Sequence, residues 1–151
     1  MGFMLAMVGL GLMIGMSGTG SAVGLVISGQ AVMGLLKKKP EAFGMALGMA
    51  SPPATQGLYG FVGFILYSNL IGTHPDLALW QGGIVLGAGL AVGIACLVSA
   101  IYQGIVCASG LAAAASGHNV FAQTFVLAAF PEFYAILSLI VAILMMGLLK
   151  F

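Results

Sequence analysis

Glu132 sits in the apolar run LAAFPEFYAILSL, thirteen residues beyond Asn119. A helix over this run would carry its carboxylate about 20 Å past that polar break. An unpaired acid at such a depth in a bilayer is costly, and intramembrane acids point to function by default. Pro131 stands immediately before it. A proline removes one backbone donor and frees the carbonyl four residues back, here that of Leu127, so a kink beside the acid is expected. The plainer reading of Glu132 is a protonated acid that donates one structural hydrogen bond.

At the matching depth of an earlier apolar run stands SPPATQGLYG. Pro52 and Pro53 remove two consecutive amide donors and leave the carbonyls of Gly48 and Met49 without helical partners. Thr55 and Tyr59 are four apart and share a helix face, and Gln56 lies about 100° round from Thr55. Farther on, Gln103 is the one amide side chain in the interior of its apolar run. Each of these could be interhelical hydrogen-bond glue, worth roughly 1 kcal/mol per bond. Together they offer hard oxygens: one carboxylate, two amides, a hydroxyl and free carbonyls. Such a set suits neither Zn, Cu nor Fe, which prefer imidazole or thiolate. One negative charge balances one monovalent cation, so the choice is Na⁺ or H⁺. A proton needs the carboxylate alone, whereas the added oxygens could replace the hydration shell of Na⁺.

These residues must be held by membrane elements. The 151 residues are 62% hydrophobic and 5% charged, with four Lys, no Arg, three acids and a mean hydropathy of +1.20. A soluble domain carries about a quarter charged residues, so a water-soluble globule is excluded. Too little basic charge exists to neutralise phosphates, which excludes a nucleic-acid binder. Spans of roughly 20 residues leave room for four. Cys96 and Cys107 would lie about 16 Å apart along one helix, too far for a disulfide, and fit no metal spacing. MGFMLAMVGL at the N-terminus lacks a basic flank and reads as the first span rather than a signal peptide. No GxxxxGK[ST] phosphate loop is present.

Three polar breaks, KKKPE at 37–41, GTHPD at 72–76 and SGHN at 116–119, leave apolar segments over 3–36, 43–71, 79–115 and 120–149. Only helices and closed barrels satisfy the backbone in lipid, and no period-two alternation favours a barrel. The expected fold is all-α with four transmembrane helices. Three Lys in the first break against Lys150 alone place the loops at 37–41 and 116–119 in the cytoplasm and both termini outside. Phe43–Gly60 aligns with Phe121–Ser138 at an offset of 78, setting Pro53 on Pro131 and Ala54 on Glu132, and GSAVG at 20–24 resembles AIYQG at 100–104. The chain therefore reads as a duplicated hairpin. Residues 1–72 form the half without the acid, and 73–151 the half with it. Both halves insert the same way round, unlike an inverted-repeat transporter. Gly83, Gly87, Ala91, Ala95 and Ser99 recur every fourth residue, and Gly11–Gly15 and Gly20–Gly24 do likewise. Such rows let backbones approach. Generic packing and the inner wall of a ring are both compatible with them.

The duplicated hairpin, TQGLYG at 55–60, YQG at 102–104 and Glu132 followed by Tyr134-Ala135-Ile136-Leu137 resemble the proteolipid of V-type ATPases. The resemblance covers nearly the whole chain and is nearest to the four-helix subunit K of bacterial sodium pumps. It implies a rotor ring of about ten copies closed by rotational symmetry, turning against a stator subunit that supplies an arginine. A central-stalk subunit would meet the cytoplasmic loops. It implies a non-catalytic, ion-translocating subunit in the lipid bilayer of the cell. By the same resemblance Glu132 carries Na⁺, and Thr55, Gln56, Gln103 and the backbone carbonyl of Pro52 complete the shell. Tyr59 locks the carboxylate. Leucine is usual where Pro52 stands, and Phe133 replaces a small hydroxyl residue beside the acid. Ala54 in place of a second acid implies one ion per four helices. Proton-carrying relatives generally lack this glutamine set, so Na⁺ is favoured and H⁺ is the alternative. A small multidrug exporter using a membrane Glu is a more distant alternative. A membrane enzyme would need a nucleophile–base pair, and His74 and His118 lie in loops.

Overall fold

The computed structural model describes residues 1–150. Their regular structure is entirely helical: α1 (Gly2–Leu36), α2 (Phe43–Ala50), α3 (Thr55–Gly72), α4 (Leu79–Ala115) and α5 (Phe121–Met146), with one-turn 3₁₀ segments at Pro40–Ala42 and Pro52–Ala54. Four rods result, because α2, the Pro52–Ala54 turn and α3 together form the second. The elements follow the expected apolar segments closely. α1, α4 and α5 are each long and apolar enough to cross a membrane. The second rod is divided because Pro52 and Pro53 cannot donate to the helical ladder.

The rods alternate in direction. Lys39 Nζ donates to the carbonyl of Ala114 at 3.0 Å, joining the first loop to the last turn of α4 at one end. At the other end Gln81 Nε2 donates to the carbonyl of Lys150 at 2.8 Å, and Gln81 Oε1 accepts the backbone N–H of Ala78. The large apolar side chains that face outward, such as Leu58, Phe61, Ile94, Val126 and Leu144, present a surface suited to lipid.

The most extensive interface is between α1 and α4, which run parallel. Its centre is glycine against glycine. A Cβ added at Gly82 would fall on the carbonyl oxygen of Gly2, one at Gly89 on that of Gly9, and one at Gly104 on that of Gly24. In each pair the residues are 80 apart, the displacement that sets GSAVG on AIYQG. The two helices thus meet through equivalent positions.

Of the fourfold rows, Gly20 and Gly24 lie on this seam, against the backbone of Leu97 and Ala100, whereas the rows that start at Gly83 and at Gly11 do not mark it. Nothing lies within 4 Å of a Cβ at Gly83, Gly11 or Gly15, and Gly87 has only the end of Met145 nearby. Four residues turn a helix by about 40° beyond a full revolution, so the row winds from an exposed start at Gly83 to buried Ser99 and Gln103. A parallel pair keeps contact through a seven-residue repeat instead, as between Gly82 and Gly89.

The proline break costs less than two orphan carbonyls. The Gly48 carbonyl accepts Ser51 Oγ at 3.1 Å. The amide of Ala54 bonds to Ser51 rather than to Ala50, and the Ala50 carbonyl so released accepts Ser28 Oγ of α1 at 2.8 Å. α5 takes Pro131 into its interior and continues without a break from Phe121 to Met146. Lower in the bundle the Tyr67 hydroxyl donates to the carbonyl of Ala142 at 2.6 Å, tying α3 to α5.

Candidate functional site

The second rod, α4 and α5 bring all six expected residues into one cluster. Pro52, on the 3₁₀ turn, starts α3 close to this depth. Thr55, Gln56 and Tyr59 then occupy the first turns of α3. Gln103 comes from the interior of α4, and Glu132 from the middle of α5.

Both carboxylate oxygens of Glu132 accept hydrogen bonds. Oε1 takes the Tyr59 hydroxyl at 2.6 Å, and Oε2 takes Gln103 Nε2 at 3.0 Å. Bonds of this kind to a charged acceptor are the strong ones. Gln103 Nε2 also donates to the carbonyl of Ala128 at 2.8 Å, while its Oε1 accepts Gln56 Nε2 at 2.7 Å. Thr55 Oγ1 lies 3.0 Å from the Pro52 carbonyl and 3.3 Å from Gln56 Oε1. Three oxygens from the second rod therefore stand together. Gln56 and Gln103 are fully buried.

A cleft of about 300 Å³ opens beside the acid. Pro52, Thr55, Gln103 and Glu132 line it, with Phe125 and Ala128. Phe133 is largely exposed and is not among its walls, so the bulky neighbour of the acid turns away from this opening. Gln56 reaches the group from behind Gln103.

Ser99 is the member that the sequence did not single out for chemistry. Its Oγ accepts Gln56 Nε2 at 3.0 Å and donates to the carbonyl of Pro131 at 2.8 Å. The network therefore closes on itself, from Glu132 through Gln103, Gln56 and Ser99 to the residue preceding Glu132. A signal was available, since Ser99 lies four residues, or about one turn, before Gln103. Among the described residues no buried side-chain nitrogen or oxygen lacks a partner.

Arranged in this way, the site has one carboxylate and several neutral oxygens set within an apolar bundle. It can hold a proton on Glu132, or a small monovalent cation between Glu132 and the Pro52–Thr55–Gln56 oxygens. It offers no nucleophile paired with a base.

The family of the ATP synthase C subunit matches the chain twice, over residues 8–67 and 86–145. The two matches are displaced by 78 residues (8 against 86, 67 against 145), the same displacement that sets Phe43 on Phe121. The A-type ATP synthase subunit K of Methanocaldococcus jannaschii is 39% identical over 113 residues, covering 75% of this chain and 48% of that protein. The V-type sodium ATPase subunit K of Enterococcus hirae is 38% identical over 117 residues, covering 77% of this chain and 73% of that protein. The 16 kDa proteolipid of the human V-type proton ATPase is 31% identical over 88 residues, covering 58% of this chain and 56% of that protein. The chain thus spans about half the length of the archaeal relative and nearly three quarters of the bacterial one. A family match repeated over most of its length, on an all-helical frame with an acid inside an apolar bundle, means that this chain belongs to the ATP synthase C-subunit family of membrane proteolipids.

Proposed function

We propose that this chain is the Na⁺-carrying rotor subunit of a rotary ATPase, with Glu132 as the ion's seat. The observation that carries the reading is the group of oxygens gathered around one carboxylate: the Pro52 carbonyl, Thr55 Oγ1 and Gln56 Oε1 on one side, and Glu132 facing Gln103 on the other. A site for protons alone has no use for this set. The name of the bacterial relative, a sodium ATPase subunit, supports the same ion.

In this reading Na⁺ enters the cleft and displaces the Gln103 N–H from Glu132. Gln103 then turns its oxygen inward. The bound ion neutralises the carboxylate, which can then face lipid at low cost. Tyr59 holds Oε1 and keeps the acid in place. Copies of the chain assemble as a closed ring. At the stator an arginine pairs with Glu132 and releases the ion. The lysine loop at 37–41 and the loop at 116–119 face the cytoplasm and meet the central stalk, with both termini outside. The hairpins 1–72 and 73–151 are copies of one unit, and only the second keeps the acid, so each chain carries one ion. ATP hydrolysis belongs to other subunits.

A second reading, proton carriage, draws on one observation: Gln103 presents its N–H, not its oxygen, to Glu132. The experiment that separates the two is ²²Na⁺ binding to the purified ring at neutral pH, with E132Q as the control. Binding that is lost in E132Q supports Na⁺. No Na⁺ binding, together with carbodiimide labelling of Glu132 that Na⁺ does not slow, would establish the proton reading.

A further inference from the structure

The direction of each hydrogen bond around Ser99 is forced by valence. The carbonyl of Pro131 can only accept, and Ser99 has one hydroxyl hydrogen to give it across 2.8 Å. Ser99 Oγ must then accept from Gln56, 3.0 Å away. Only the amide nitrogen of Gln56 can donate, so its oxygen is turned the opposite way, towards Thr55 Oγ1, which lines the cleft. Ala128 acts on Gln103 in the same manner: its carbonyl accepts Nε2, which leaves Oε1 facing Gln56.

The two glutamines differ in what a cation demands of them. Gln103 must exchange its N–H for its oxygen to touch the ion. As it turns, Gln56 loses the acceptor that Gln103 Oε1 provided. Ser99 is then the contact that still holds the Gln56 nitrogen back and its oxygen forward. The oxygen and nitrogen of a primary amide differ little in size, so an unheld Gln56 could present either to the cleft, and its N–H₂ would repel a cation. Ser99 is 5% exposed, so bulk water does not reach it to take over this task.

We propose that Ser99, anchored on the Pro131 carbonyl, is a positioning residue that aims the Gln56 oxygen at the ion and so sets the preference of the site for Na⁺ over H⁺. The proposal rests on the Na⁺ reading above. It asks nothing of the carboxylate itself. Loss of the serine hydroxyl should therefore weaken Na⁺ while leaving the bare acid as it was.

The test uses intact rings of the parent chain, S99A, S99T and E132Q. ²²Na⁺ binding and carbodiimide labelling of Glu132 are measured on each, the labelling with and without Na⁺. Removing an outer-sphere partner typically costs about 10- to 100-fold in metal affinity. S99A is expected to need that much more Na⁺, both to bind and to protect Glu132, while labelling without Na⁺ keeps the parent rate. S99T, which restores a hydroxyl, is expected to recover Na⁺ affinity. Parent-like Na⁺ affinity in S99A overturns the proposal and leaves the Na⁺ reading intact. An equal change in labelling with and without Na⁺, or loss of the ring in S99A, would make the role structural and also overturn it. Absence of Na⁺ binding in the parent ring overturns the Na⁺ reading, and this inference with it.

Discussion

The Tyr59 hydroxyl and the Glu132 carboxylate meet at 2.6 Å, across 73 positions of sequence and between two helices. The bond joins the two halves of the chain at the one acid within its apolar bundle. It also fixes which carboxylate oxygen remains to be shared with Gln103.

Tyr59→Phe removes this donor and leaves the ring in place. Hydrogen bonds to charged groups contribute about 1.5–3 kcal/mol, and 1.4 kcal/mol is a factor of about ten. We expect Na⁺ to leave the Tyr59→Phe ring about tenfold faster or more, measured as loss of preloaded ²²Na⁺ after dilution. An unchanged release rate would show that the phenol does not retain the carboxylate.

In the proposed reading, the proton and Na⁺ compete for one carboxylate, that of Glu132. As pH falls, the acid is increasingly protonated and the apparent Na⁺ affinity must fall with it; as pH rises, affinity rises to a plateau. Where protonation dominates, the Na⁺ concentration for half-saturation should climb about tenfold per pH unit, since ligands bind metal only when deprotonated. Titrations of ²²Na⁺ binding at a series of pH values read this slope. An affinity that stays flat down to the pH at which carbodiimide labelling shows Glu132 protonated would remove Glu132 from the shell.

The α1–α4 seam predicts a contrast between two neighbouring glycines. A side chain at Gly89 would run into the backbone of Gly9, whereas one at Gly83 meets nothing within 4 Å. Gly89→Val should separate the helices at a cost of roughly 1–3 kcal/mol or more for overpacking, seen as loss of folded subunit in a detergent–denaturant titration. Gly83→Val should leave the isolated subunit as stable as the parent.

Ser28→Ala strips the Ala50 carbonyl of its partner on α1. A buried carbonyl without a donor costs about 1–3 kcal/mol, and the same titration should register it. Ser68→Ala is the control, because Ser68 is outside the core and bonds only to Ile65 on its own helix; its midpoint should stay within error of the parent.

Much of this site could be read before any coordinates. An acid in an apolar run announces itself by cost, and TQGLYG stands out because amide and hydroxyl groups are rare in such segments. Four spans followed from the polar breaks alone. Ser99 and Ser28 were another matter. A serine is small enough to pass as a packing residue, and its role depends on which carbonyl a neighbouring helix brings within reach. The seam was hidden for a related reason. Glycines on both faces of α1 and α4 look alike in one dimension, and only the relative rotation of the helices separates Gly89 from Gly83. The partner of the Ala50 carbonyl could not be read either, because the proline pair shifted the Ala54 amide to Ser51 and released a different acceptor from those expected.

The glycine pairs of α1 and α4 bear on mechanics as well as on assembly. Where backbone rests on backbone, no rotamers lie between the helices to absorb a load. The pair would resist shear as one stiff strut, with little elastic slack between the Gly2–Gly82 end and the Gly24–Gly104 contact beside Gln103. In a ring that turns as proposed, the amide beside Glu132 would follow the Gly2–Gly82 end of the bundle with little lag.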